Sequence, residues 1–241
     1  MTKLNETDLQ PAIADDDRDK RVPRANKMRK LLLDVALDCF SSHGFGGTST
    51  RMIADIAGVS HSLVLYHFRS KDQLWFATMA EVVGTYTRQV EEIAQDRSRP
   101  AAEILRTYIE KVVLTFRERP QLHRIFTQQS TQNSKRLDWL VEKYVGRHYE
   151  VITDLILRAQ KEGAVREGDP SRLYYFIIGS SGFPFSVNRE YELLTGRDVF
   201  SAAEIHHLSQ FISDVIFSDP PTARKNVRKA SVRPSALHSA M

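Results

Sequence analysis

Residues 48–68 read TSTRMIADIAGVSHSLVLYHF. The stretch from Thr50 to Ile56 predicts a short helix, capped by Thr48 or Ser49, that carries Ile53, Ile56 and Ala57 toward a preceding helix. Gly58-Val59-Ser60 predicts a tight turn. A second short helix then spans His61 to His67 with Ser60 as its cap, and Val59, Val64 and Phe68 point inward to pack the unit. Two short helices joined by a glycine turn behind a longer amphipathic helix make a helix-turn-helix.

Working outward, Met28, Leu31, Leu32, Val35, Ala36, Cys39 and Phe40 form one apolar stripe, which predicts a helix from about Ala25 to His43 ended by Gly44. Ser70-Lys-Asp-Gln73 is a capping-box pattern that opens a fourth helix reaching about Gln95. Pro100 and Pro120 each fit the first turn of a helix, giving segments near 100–118 and 120–130. A long helix from Lys135 to Glu162 closes at Gly163. Asp169-Pro170 opens another, Ser171 to about Asn188, which Gly179-Ser-Ser-Gly182 and Pro184 are expected to weaken or kink. Ser201-Ala-Ala-Glu204 opens a last helix over 202–217. No stretch alternates as a strand does, so the fold class is all-α.

The chemistry of DNA reading asks for small or polar groups on the outer face of the second short helix, with aromatic and basic groups at its edges. That face offers His61, Ser62, Tyr66 and His67. Ser49, Thr50 and Arg51 at the start of the first short helix suit a phosphate, through hydroxyls, guanidinium and free backbone N–H groups, and Lys71 suits a second. Charge is distributed accordingly. Arg24 to Lys71 holds seven basic and three acidic residues, whereas Met1 to Asp19 holds two basic and six acidic ones. The last stretch, Ser218 to Met241, has five basic residues and one acidic.

Gly44-Phe45, Thr48-Ser-Thr-Arg-Met-Ile-Ala54, Ala57-Gly-Val-Ser60, Leu65-Tyr-His-Phe68 and Ser70-Lys71 resemble the TetR family in residue type and spacing, over about residues 26–86. The resemblance implies phosphate contacts at Thr50, Arg51, His67 and Lys71, and base or sugar contacts at His61, Ser62, Leu63 and Tyr66. The family often carries Lys-Gly-Thr where this chain has His61-Ser62-Leu63, and Tyr where it has Leu65. Leu63 has no hydrogen bond to offer a base edge, although it can touch a thymine methyl. The departures therefore bear on which operator is read.

By composition, residues 1–23 read as a disordered acidic arm and 218–241 as a basic flexible tail, and between them the resemblance implies a DNA-binding domain over 24–86 and a ligand-binding and dimerisation domain over 87–217. Its expected partners are double-stranded operator DNA, a second copy of the chain and a small-molecule effector, in the manner of a repressor that releases its operator when the effector binds. Candidate pocket residues are Phe116, Arg124, Phe126, Gln128, Trp139, Tyr144, Tyr175, Phe176 and Phe183. Arg124-Ile-Phe126 and Gly179-Ser-Ser-Gly182 are similar to the pyrimidine-utilisation branch of the family, whose effector is a small uracil-like molecule.

The remaining composition narrows the class. The chain has 241 residues, 41% hydrophobic and 27% charged, with a net charge of +4, ordinary values for a globular protein. The longest apolar stretch, Tyr174 to Phe185, is well short of the roughly 20 residues a membrane span needs, and the polar N-terminus does not read as a signal peptide. A cytoplasmic protein is expected. Cys39, the single cysteine, reads as a small buried hydrophobe. No Gly-rich phosphate loop, nucleophile elbow or His-Glu-x-x-His occurs. His206 and His207 are adjacent on a helix, so they diverge by about 100° and suit no common metal. No catalytic residue, metal or cofactor is expected.

Overall fold

A computed structural model describes residues 16–217, with side chains from Asn26 onward. The elements are α1 (Asp16–Gly47), α2 (Thr50–Ala57), α3 (His61–Phe68), α4 (Lys71–Ala94), α5 (Ala101–Glu118), α6 (Pro120–Ser130), α7 (Lys135–Leu140), α8 (Gly146–Lys161), α9 (Pro170–Ser186), α10 (Asn188–Thr195) and α11 (Ala202–Ile216). The one β-type pairing among the described residues is an isolated bridge between Val165 and Phe217. The expected tail over 218–241 and residues 1–15 of the expected arm lie outside the described residues.

Local signals placed most ends. Ser49, Ser60 and Ser70 each stand in extended backbone, and each side chain accepts a hydrogen bond from the amide three residues on, at 3.0, 3.3 and 3.1 Å. Gly58, at φ +67°, takes the left-handed conformation that closes α2, and its amide reaches back to Ala54 and Asp55. Gly44, at φ +68°, breaks the helical path of α1 three residues before its end.

Four features depart from the sequence expectations. Helix α1 begins at Asp16 rather than near Ala25, inside the segment expected to be an arm. The single helix expected over 135–162 is divided by a π turn, Val141–Val145, between α7 and α8. Helix α9 runs unbroken through Gly179 to Gly182 and ends at Ser186, followed by α10, which no capping signal announced. Packing on α5 and α6 holds α9 where propensity alone would loosen it. Ile56 is 61% exposed rather than turned to α1; Ile53 and Ala54 fill that contact.

The core is continuous from the α1–α4 end to the far helices. Leu32, Phe40, Ile53, Val64, Leu74 and Trp75 pack the first end, and Tyr108, Ile109, Ile152, Ile177 and Ile212 the second. Cys39 is 3% exposed and burial pushes its thiol pKa up, as suits a packing residue. Helix α5 has no cap of its own. The Glu162 carboxylate at the end of α8 instead accepts from the amides of Ala101 and Ala102 at 2.8 and 3.0 Å, placing negative charge at a helix N-terminus.

Candidate nucleic-acid interface and effector cavity

The α2–turn–α3 unit presents two unlike faces. Val64 and Phe68 are 0% and 4% exposed against the core, whereas Tyr66, on the same helix, is 80% exposed. Ser49, Arg51 and Ser62 are also exposed, and Thr50, His61, Leu63 and His67 are half-buried. Thr50 Oγ1 and His61 Nε2 lie 2.9 Å apart, joining the starts of the two short helices. This contact orients the His61 ring and leaves its Nδ1 edge for another partner. Tyr66 and His67 meet edge to face with ring centres 5.4 Å apart.

Lys71 is placed differently from a free phosphate ligand. Its ammonium donates to the carbonyl oxygens of Phe45 and Thr48, both at 3.0 Å, and lies 4.3 Å from the centre of the Phe45 ring. Two of its three protons therefore tie α4 to the end of α1 and the loop before α2, and one remains for a partner. Arg136 of α7 covers the same Phe45 ring at 3.7 Å and approaches Asp72 at 3.6 Å.

A cavity of about 660 Å3 lies among α4, α5, α6, α7, α8, α9 and the π turn. That falls within the range of roughly 300–1,000 Å3 typical of small-molecule sites. Of the residues expected to form a pocket, Phe116, Phe126 and Tyr175 line it. Arg124, Gln128, Trp139, Tyr144, Phe176 and Phe183 do not. Gln128 turns to α1, where its amide donates to the Ser41 carbonyl at 3.2 Å. Trp139 packs between Phe76, at 4.8 Å between ring centres, and Trp75. Tyr144 covers Gly84, where a Cβ would come within 3.2 Å of its ring. Phe176 packs on the core, and Phe183 is 59% exposed. Arg124 is half-buried on α6, outside the lining.

Sequence reading missed the rest of the wall, including Tyr86, His123, His148, Tyr149 and Tyr174. His148 and Tyr174 sat in regular apolar patterns, which gave no sign that a space adjoined them. The π turn contributes Val141 and Val145, so the extra residue in the turn shapes the wall. Tyr108 and His148 are both buried, with Oη 3.1 Å from Nε2. Burial holds the His148 imidazole down at about 4 and lowers the pKa of His123 as well. His123 Nδ1 lies 2.8 Å from Ser186 Oγ, joining α6 to α9.

Helix α6 touches both regions. Its His123, Phe126 and Thr127 face the cavity, while Gln121 donates to Asp38 Oδ1 of α1 at 2.7 Å and Gln128 reaches Ser41. Arg119, at its N-cap, approaches Asp34 at 3.7 Å. No described helix is long and apolar enough to cross a membrane.

The chain is similar to known proteins over both regions. Residues 32–78 match the family described as bacterial regulatory proteins, tetR family, and residues 102–216 match the tetracyclin repressor-like C-terminal domain. The HTH-type transcriptional regulator RutR of Escherichia coli strain K12 is 27% identical over 204 residues, covering 82% of this chain and 94% of RutR. The crystal structure of HlyIIR, a hemolysin II transcriptional regulator, superposes with a TM-score of 0.65 at 16% identity, over 81% of this chain and 99% of that one. The structure of AibR in complex with isovaleryl coenzyme A and operator DNA gives 0.65 at 17% identity, over 79% and 98%. With the helix-turn-helix matched at one end and the cavity-bearing helices at the other, the chain belongs to the tetR family of bacterial regulatory proteins, which are helix-turn-helix transcriptional regulators.

Proposed function

We propose that this protein is a repressor that holds operator DNA through α3 of two protomers and releases it when a small molecule fills the cavity. The observation that carries the reading is the two-faced α3, with Val64 and Phe68 sealed inside and Tyr66 and Ser62 offered outward. Residues 24–86 act as the DNA-binding unit and 87–217 as the effector and dimerisation unit. Arg51, Thr50 and Ser49 take one phosphate, helped by the free N–H groups at the start of α2. Lys71 adds its charge and its remaining proton, and His67 lies alongside. His61, Ser62, Leu63 and Tyr66 meet bases and sugars. Phe183, Leu193, Leu194 and Phe211 are 59–74% exposed on α9, α10 and α11, and a second copy covering them would hold the two recognition helices about one DNA turn, ~34 Å, apart.

Release follows from α6. A ligand pressing on Phe126 and Thr127 shifts a helix bonded to α1 through Gln121 and Gln128, and so alters the spacing of the recognition helices. Linkage makes the coupling reciprocal: operator weakens effector binding by the same factor. The site binds rather than catalyses, and the protein works beside the chromosome in the cytoplasm.

The test is a gel shift on DNA flanking the protein's own gene, with excess non-specific competitor. A competitor-resistant complex at about 10⁻⁸ to 10⁻¹¹ M is expected, weakened at least tenfold by Tyr66→Ala. If neither this DNA nor any sequence selected from a random library is held above non-specific affinity, the reading fails.

A further inference from the structure

The chemistry of the cavity wall restricts what can fill it. No aspartate, glutamate, lysine or arginine belongs to the lining. Its threonine hydroxyl groups are committed, whereas those of Ser130, Tyr174 and Tyr175 on the same wall make no hydrogen bond among the described residues. The side chains of Thr87, Thr115, Thr127 and Thr131 donate to carbonyls of their own helices at 3.0, 2.8, 2.9 and 2.9 Å, which leaves methyl groups and lone pairs for a ligand. The Tyr149 hydroxyl is 2.6 Å from Ser171 Oγ. His123 Nδ1 is engaged by Ser186. Tyr86 Oη and His148 Nδ1 have no hydrogen-bond partner, and both atoms are buried. The volume of about 660 Å3 matches some twenty water molecules at roughly 30 Å3 each, so a single small ring would leave most of it to water.

We propose that the effector is an uncharged, drug-sized and largely apolar molecule, held by the aromatic and aliphatic wall rather than by hydrogen bonds or ion pairs. This rests on the reading of the cavity as the effector site. It differs from the small uracil-like effector of the pyrimidine-utilisation branch that residues 124–126 and 179–182 resemble. Such a ring carries several donors and acceptors packed along its edge, and a wall with scattered hydroxyls and no amide or charged side chain would leave some of them unpaired at a cost. A carboxylate or ammonium inside the cavity would meet no counter-charge.

The probe is Nile red, an uncharged dye whose emission rises in apolar surroundings, titrated into the full chain. It is then displaced by 4-methylbiphenyl, biphenyl-4-carboxylate, 4-phenylbenzylammonium or uracil. Saturable dye binding is expected, with the methyl compound displacing at least tenfold more effectively than either charged analogue, and uracil not displacing at all. Gly179 lines the cavity and a Cβ there would meet open space, so Gly179→Phe and Gly179→Leu fill the space from inside. Both are expected to weaken dye binding at least tenfold while the far-ultraviolet circular dichroism and the cooperative melting of the parent are retained. Equal displacement by a charged analogue, displacement by uracil, or dye binding untouched by both glycine variants overturns the proposal. Operator binding without dye binding overturns the ligand class and leaves the repressor reading intact. Dye binding confined to the cavity with operator affinity unchanged supports the ligand class and removes the release mechanism.

Discussion

The ring of His123 on α6 rests directly on the backbone of Gly182 on α9. A Cβ at position 182 would come within 2.7 Å of the ring's Cγ and closer still to Cδ2, so the imidazole reaches Ser186 only because residue 182 has no side chain.

Gly182→Ala is therefore expected to push the His123 ring off α9 and to destabilise the protein by about 1–3 kcal/mol, as overpacking does. Urea denaturation measures it. Adding His123→Ala removes the obstacle, so the double variant should lose less than the sum of the single ones. Strict additivity would show that the contact is not the cause.

Arg51→Ala is expected to leave the melting temperature unchanged, because the side chain is exposed and makes none of the hydrogen bonds or ion pairs seen among the described residues. It should weaken operator binding and reduce the slope of log K against log salt by about 0.9 per protomer, the signature of one lost phosphate contact. An unchanged slope would remove Arg51 from the interface.

Lys71→Ala is expected to behave differently. Losing two hydrogen bonds from an ammonium to the Phe45 and Thr48 carbonyls should cost about 1.5–3 kcal/mol of stability. Thermal denaturation should show this beside the weaker DNA binding, whereas a variant as stable as the parent would mean that Lys71 serves the DNA alone.

Acid should destabilise the protein through His148. Its pKa is held at about 4, against an ordinary 6.5, by burial, so between those values the unfolded chain binds a proton that the folded chain does not. The contribution is complete above about pH 6.5 and is lost as pH falls toward 4, amounting to roughly 3 kcal/mol at ~1.36 per unit. His123 acts in the same direction. His148→Phe should flatten the stability profile across that window, and an unaltered profile would assign the acid sensitivity elsewhere.

The helix-turn-helix was legible from sequence because the interactions that define it span four residues or fewer. Ser49, Ser60 and Ser70 cap amides three residues away, and Gly58 supplies a left-handed turn that a Cβ disfavours. The outward face of α3 followed from the same periodicity, with Tyr66 exposed and Val64 and Phe68 inside. The limits of that periodicity appear at Ile56, which has the right spacing for burial on α1 yet stands in solvent because no neighbouring helix covers it.

Tertiary packing decided what local chemistry left open. Glu162 caps a helix sixty residues away, Lys71 ties α4 to the end of α1 and the loop before α2, and Gln128, an expected pocket residue, turns instead to α1. The cavity is the extreme case, because it exists where several helices do not meet. An apolar stripe such as that holding His148 and Tyr174 has the same pattern whether it faces another helix or an empty space. Contacts within a turn or two of chain, readable in the sequence, fixed most of the helices, the caps at Ser49, Ser60 and Ser70 and the two faces of α3. The shape and chemistry of the cavity were decided only when distant segments packed together, because a void is a property of the whole assembly and of no segment within it.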